Sequence, residues 1–389
     1  MAKALSPSGP SNAPVARQRV EVIGVRGIPG VMGGVEAHCE ELIPRIAALA
    51  PDLDIELVGR IPYIPPGETI YRGVSIKPLP APRTPQLEAI VSTLRGIVRA
   101  RQRRADLVHF HGIGPALLVP LARLLGMRAI VTHHSLNYDH QKWSRFARTM
   151  LRLGERLGVR FADRVITVAP WLGARLRTQY PAQAAKITVI QNGQGSFPNQ
   201  ADAAVMAELG LQRGEYILGV GRMVPEKGFD LLIAAFEQSG TSRKLLLVGG
   251  ADHASDYARA LLARASDRII FAGVRQRAAL KALYEGAALF VLPSTHEGMP
   301  IAALEAVSLG CPILLSDIEP NLDMGFPALN YFPAGDAEAL AARLSEPPDD
   351  LMVDRAMFAI GDWDQIAKKT LAIYRSVMER RPIPNAVAK

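Results

Sequence analysis

The stretch Leu289-Phe290-Val291-Leu292-Pro293-Ser294-Thr295-His296-Glu297-Gly298-Met299-Pro300-Ile301-Ala302-Ala303-Leu304-Glu305 decides the fold. Its first four residues are all apolar, as expected of a strand covered on both faces. Pro293 and Ser294 end that strand. Pro300 then opens a helix, because its fixed φ suits a first turn where no N–H donor is needed. A covered strand that runs into a helix is half of a crossover unit, and such units build parallel sheets.

The same unit recurs on both sides. Upstream, strand patterns at 20–25, 55–58, 74–77, 107–111, 129–132, 165–168 and 187–190 alternate with helical patterns at 35–49, 86–101, 116–125, 143–157 and 171–178. A Gly-, Pro-, Asn- and Gln-containing stretch at 192–212 interrupts the series. The pattern then restarts, with strands at 216–220, 244–248, 269–271, 289–292 and 312–316. Helices follow at 229–238, 256–265, 278–285, 301–309 and 337–344, and a last helix at 363–378 lies beyond a Pro- and Asp-rich break. The expected fold class is α/β, with two Rossmann-like doubly wound domains facing each other across a cleft. Their expected bounds are a disordered tail at 1–17, a first domain at 18–200 and a second at 201–362. A C-terminal helix at 363–381 is expected to pack back on the first domain. In such folds ligands sit at the carboxyl ends of the strands.

Composition agrees. The chain has 389 residues, 49% hydrophobic and 21% charged, enough apolar material for two cores and too much for a disordered chain. Two distant cysteines, Cys39 and Cys311, exclude a disulfide scaffold and a cysteine zinc cluster. No apolar run approaches the ~18 residues of a spanning helix. The N-terminus lacks the basic start and apolar block of a secretion signal. A cytoplasmic protein is expected. Net charge is +8, but residues 1–200 hold 26 Lys/Arg against 13 Asp/Glu, and the remainder holds 19 against 24. The basic half suits an anionic partner: nucleic acid, a membrane surface or a phosphorylated ligand. A solvated basic surface fits the charge equally well.

Four motifs carry chemistry. After the first strand, the run from Gly24 to Glu36 holds five glycines, including Gly33 and Gly34, before a helix. Glycines let backbone approach a phosphate, and a helix start offers free N–H groups. The dinucleotide GxGxxG and the Walker lysine pattern are absent, which weakens a nicotinamide or ATP reading. After the first strand of the second half come Gly221-Arg222 and Lys227-Gly228. A planar fork and a mobile ammonium five positions apart can converge on one diphosphate. Glu297 and Glu305 flank the turn quoted first and can accept from sugar or ribose hydroxyls. His109, His111, His133 and His134 follow strands on the cleft side. No HExxH pattern supports a zinc site, and His134 reads as a donor to a sugar oxygen. Asp139 and His140 follow in a loop that could face an acceptor.

Together these residues resemble the retaining glycosyltransferases of family 4, which have the GT-B fold. The carriers are Gly33-Gly34, Asn192-Gly193, Gly221-Arg222 through Lys227-Gly228, Phe271-Ala272-Gly273-Val274 and the Glu297/Glu305 pair, spread over 19–380. The Gly24–Glu36 stretch looks like bacterial exopolysaccharide and capsule enzymes, some of them rhamnosyltransferases. Gln191 stands where the family often has Pro. The resemblance implies that Arg222 and Lys227 hold the donor diphosphate and that Glu297 binds the sugar ring with the turn Gly298, Met299 and Pro300. It implies further that Glu305 holds the ribose, Val274 contacts the base, Gly34 approaches the distal phosphate and His134 meets the sugar. It implies no cofactor and no metal, a nucleotide-diphosphate sugar donor and a saccharide acceptor, expected to be lipid-diphosphate-linked. Two alternatives stay open: a sugar-nucleotide epimerase of the same fold, and a basic nucleic-acid-binding protein, which the missing basic-aromatic motifs disfavour.

Two basic clusters point to the cytoplasmic face of a membrane. One is Arg99, Arg101, Arg103 and Arg104. The other runs from Lys142 through Arg145, Arg148, Arg152, Arg156 and Arg160 to Arg164, mostly on one helix with interleaved Phe and Leu.

Overall fold

A computed structural model describes residues 17–82, 85–136, 138, 144–251, 255–354 and 361–379. The tail expected at 1–17 therefore lies almost wholly outside the described residues, as do Asp139, His140 and Lys142.

Two sheets form the core of the molecule. The first contains β1 (Gln18–Ile23), β2 (Leu53–Arg60), β3 (Thr69–Tyr71), β4 (Val74–Leu79), β5 (Leu107–His111), β6 (Arg128–His133), β7 (Arg164–Thr167) and β8 (Ile187–Val189). Their spatial order is β3-β4-β2-β1-β5-β6-β7-β8. The second contains β9 (Tyr216–Val220), β10 (Lys244–Val248), β11 (Ile269–Gly273), β12 (Leu289–Leu292), β13 (Ile313–Ser316) and β14 (Tyr331–Phe332), in the order β11-β10-β9-β12-β13-β14. That order reverses between β9 and β12, as the first sheet's does between β1 and β5. These are the switch points where a doubly wound sheet opens a ligand crevice.

Three sequence expectations are corrected. The first sheet is not all parallel, because β3 pairs antiparallel with β4 through a tight Arg72-Gly73 turn. The helix expected at 116–125 is broken into Ile113–Ala116 and Val119–Leu124. Pro120 lacks the N–H that would bond back to the first turn. The helix expected to start at Trp143 runs over Arg145–Phe161, capped by Ser144 Oγ, which accepts from the Ala147 amide at 3.2 Å.

The helix Trp363–Met378 crosses back to the first domain. Trp363, Ile366, Ala367, Tyr374 and Val377 join the core beneath β1 and the helix Gly34–Leu49. The Tyr374 hydroxyl lies 2.7 Å from His109 Nδ1, and Arg375 reaches Asp52 at 2.6 Å.

The basic cluster at 99–104 is partly used up inside the fold. Glu21 and Glu56 stand opposite each other on β1 and β2. Arg103 donates to Glu21 at 2.7 Å, and Arg99 grips Glu56 at 2.8 and 3.0 Å. Only Arg101 and Arg104 of that cluster remain exposed. Burial first, and the facing Glu56 next, push the Glu21 carboxyl up to about 8. The folded protein therefore holds a proton there that the unfolded chain releases above about pH 4.5. Stability from this group is complete at low pH and is lost as pH rises toward 8. Thermal melts between pH 6.5 and 8.5 should show a falling melting temperature, and Glu21→Gln should flatten that slope.

Candidate active site

The carboxyl ends of both sheets face one cleft of about 1210 Å³. From the second domain, β9 runs into Gly221 and Arg222, and a short turn returns Lys227 to the same place. The Lys227 stem lies on Gly221, where a side chain would meet it at 3.4 Å. Its Nζ donates to Glu297 Oε1 at 2.6 Å, and Ser294 Oγ donates to the same oxygen at 2.6 Å. Arg222, half-buried, lines the same wall.

Glu305 sits one helical stretch further on, in the helix Ile301–Ser308, and is 5% exposed. It is not a bare carboxylate. Arg277 donates to Oε1, and the Tyr284 hydroxyl donates to Oε2 at 3.1 Å. Arg277 also stacks on Phe197 at 3.9 Å and donates to the Ser196 carbonyl at 2.8 and 3.1 Å. The segment joining the two domains is thus pinned beside Glu305. Val274, exposed in the turn after β11, borders the same end of the cleft.

The first domain supplies the opposite wall. Gly33 has φ +150°, and a Cβ there would fall 2.1 Å from Glu36 Oε2 and 2.3 Å from an Arg26 nitrogen. The glycine is required because the Arg26–Glu36 pair, held at 3.0 Å, fills that space. Burial opposes the Glu36 charge, but Arg26 outweighs it and holds the carboxyl below its usual range. A Cβ on Gly34 would meet nothing within 4 Å, and the residue borders the cleft.

His134 follows β6 and is buried against His111, with Nε2 and Nδ1 3.1 Å apart. Burial first, and the neighbouring His38 next, push it well below the ordinary imidazole pKa. It is a neutral ring near pH 7.

The two walls meet at the turn that follows β12. A Cβ on Gly298 would lie 1.6 Å from the His134 carbonyl oxygen. Trp171 Nε1 donates to the Gly298 carbonyl at 3.0 Å, and Asn192 Nδ2 donates to the Met299 carbonyl at 3.2 Å. The Met299 side chain packs into the first domain's core. The turn that carries Glu297 is therefore held by the other domain.

Residues 32–193 match the family model Glycosyltransferase Family 4, and residues 204–347 match Glycosyl transferases group 1. The chain belongs to these GT-B glycosyltransferases. It is 28% identical to alpha-maltose-1-phosphate synthase of Mycolicibacterium smegmatis, over 90% of this chain and 97% of that one. It is also 28% identical to D-inositol 3-phosphate glycosyltransferase of Kribbella flavida, over 93% and 96%. Among solved structures, sucrose-phosphate synthase from Thermosynechococcus elongatus superposes with a TM-score of 0.74 at 23% identity, covering 92% of this chain and 99% of that one. HepE of Anabaena with UDP and glucose superposes with a TM-score of 0.67 at 18% identity, over 92% and 100%. The two superpositions speak to fold alone.

In this glycosyltransferase Gly33, Gly34, His134, Arg222, Lys227, Val274, Glu297, Gly298, Met299, Pro300 and Glu305 all line the one cleft. Asp139 and His140 lie outside the described residues. Sequence reasoning missed Arg277, Trp171 and the Arg26–Glu36 pair. Arg277 follows a strand-end turn, as Lys227 does, and that position was its one available signal.

Gly298→Ala should force the turn away from His134. A displacement near 1 Å at the reacting centre costs about 100-fold in rate. The glycosyltransferase should lose that much kcat in steady-state assays while each domain keeps its fold by circular dichroism.

Proposed function

We propose that this glycosyltransferase moves a hexose from a nucleotide-diphosphate donor to a lipid-diphosphate-linked saccharide, with retention and without a metal, in surface or exopolysaccharide synthesis. The reading rests on one observation: Arg222, Lys227, Glu297, Glu305 and His134 line the same cleft.

Each group has a task. Glu305 accepts from the ribose hydroxyls, and the Val274 turn meets the base. Arg222 and Lys227 bind the diphosphate. Glu297 keeps Oε1 on Lys227 and Ser294, which leaves Oε2 to accept from sugar hydroxyls. His134, neutral, donates to a sugar oxygen. As the bond from the anomeric carbon to the diphosphate breaks, negative charge grows on the leaving oxygen. Fixed cations and the amides at the start of the helix Ile301–Ser308 stabilise that charge. Loss of one such group costs about 2.7–4 kcal/mol of barrier. The acceptor oxygen attacks on the face the diphosphate leaves, and its proton passes to the departing phosphate. Glu297 binds and does not attack, because transfer on the leaving face needs no protein nucleophile.

The acceptor wall lies on the first domain, where Arg26, Arg60, Tyr63 and Arg72 border the cleft. Two relatives carry a sugar or inositol phosphate in their names. A diphosphate-linked acceptor presents the same anionic handle.

Turnover of nucleotide sugars with such an acceptor, in EDTA, tests the reading. The product should retain the donor's anomeric configuration at an undiminished rate, and Glu297→Gln should accumulate no covalent adduct by mass spectrometry. Inversion, a metal requirement or a trapped glycosyl-enzyme would contradict it. Donor hydrolysis or isomerisation with no acceptor would favour an epimerase.

Membrane contact belongs to the same proposal. Among the described residues no helix is long and apolar enough to cross a membrane. The helix Arg145–Phe161 exposes Arg145, Arg152, Arg156 and Arg160 beside Phe146, which is 73% exposed, Leu153 and Phe161. The helix Pro85–Gln102 packs into the same core and exposes Leu87, Ile90, Leu94 and Val98. Apolar side chains ringed by arginines suit a bilayer with anionic lipid. The protein should float with vesicles containing phosphatidylglycerol and not with neutral ones. Phe146→Asp with Arg152→Glu should abolish flotation without changing turnover of a water-soluble acceptor.

A further inference from the structure

Behind the cleft wall at His134 lies a cluster of which sugar transfer uses one member. His38, His111 and His134 meet there from three elements: the helix Gly34–Leu49, the end of β5 and the residue after β6. One ring nitrogen of each lies within 4.8 Å of the other two. The His38 and His134 rings meet edge-on with centroids 4.9 Å apart, and His111 and His134 stack at 5.4 Å. All three side chains are buried.

Buried imidazole nitrogens normally have partners, yet His38 Nε2 has none among the described residues. His111 turns Nδ1 toward the cluster, 3.1 Å from His134 Nε2 and 3.4 Å from Cys39 Sγ. The His38 tautomer follows from its neighbour. Asn192 Nδ2 donates to the Met299 carbonyl, so its Oδ1, 2.8 Å from His38 Nδ1, must accept. The proton is therefore on Nδ1, and Nε2 carries a lone pair aimed at no donor. A hydrogen bond that orients a ring from its far nitrogen is what metal-binding histidines show.

We propose that His38, His111 and His134 bind one borderline divalent transition-metal ion of the zinc class, and that this ion switches the enzyme off. A set of imidazoles without carboxylates selects zinc, cobalt or nickel over the oxygen-seeking magnesium and calcium. Three ring ligands leave a fourth position for water or a cleft ligand. Metal–nitrogen bonds of about 2.0–2.1 Å require the rings to close in by roughly 1 Å. The inhibitory half of the proposal rests on the transfer reading, since His134 is the group assigned there to the sugar. A divalent charge at that point opposes the positive charge that develops on the sugar ring. The binding half stands on the cluster alone.

The full chain, stripped with EDTA and titrated with Co2+ without substrate, tests it. One Co2+ should bind per chain with the intense visible absorption of a four-coordinate ion, displaced by Zn2+ and untouched by Mg2+. His38→Gln and His111→Gln should each abolish that spectrum. Asn192→Ala leaves all three rings in place and should weaken binding about 10–100-fold. X-ray absorption of the cobalt-loaded native chain should show imidazole scattering, a result that does not depend on how the variants fold. Stoichiometric Zn2+ should abolish sugar transfer, and Mg2+ should not. Absence of saturable binding at millimolar Co2+, or a spectrum that survives in both histidine variants, overturns the site. Saturation without loss of transfer overturns the switch. If no sugar is transferred under any condition, the transfer reading fails while the cobalt titration still decides the site.

Discussion

The turn from Glu297 to Pro300 grows out of the second sheet but is fastened by the first domain. Trp171 holds the Gly298 carbonyl, Asn192 holds the Met299 carbonyl, and the His134 carbonyl occupies the place of a side chain on Gly298. The Glu297 end of the cleft is therefore a composite of both domains. The geometry at Glu297 thus depends on the docking of the two domains. The helix Trp363–Met378 supports the same arrangement from outside, because it belongs to the tail of the second domain and lies in the core of the first.

Around this contact the cleft is organised by paired charges. Lys227 with Glu297, Arg277 with Glu305 and Arg26 with Glu36 each join a cation to a carboxylate that is nearly or fully buried. Such pairs add little net stability, but removing one member strands a charge and costs about 3–5 kcal/mol. Their value is positional. Each holds a long side chain in a single orientation before any ligand arrives, so little reorganisation remains for the moment of reaction. Arg277 does this twice, since it fixes both Glu305 and the segment that joins the domains.

The sheets were legible in the sequence because their strands are covered on both faces. Residues 216–220, 244–248 and 289–292 are nearly unbroken apolar or β-branched runs, 107–111 alternates apolar residues with His109 and His111, and the structure places strands at all four positions. β3 was not legible, since it is three residues long, mostly exposed and carries no alternation. The break at Pro120 was readable in principle from proline's missing donor. At the cleft, glycines, cations and carboxylates at strand ends announced themselves by position. Their partners did not. Arg277 and Glu305 are 28 residues apart, and Arg99 and Arg103 look like solvated cations until β1 and β2 bring Glu21 and Glu56 beside them. His38 gave no signal, because a histidine one turn into a helix says nothing about two strand ends that arrive over 70 residues later.

The account stands on a diphosphate bound where the second domain's cations meet the docked turn. A crystal structure of the chain with a nucleoside diphosphate tests this most directly. The account requires the phosphates within hydrogen-bonding distance of both the Lys227 ammonium and the Arg222 guanidinium, with the ribose on Glu305. Phosphates bound elsewhere, or a ribose turned away from Glu305, would contradict it.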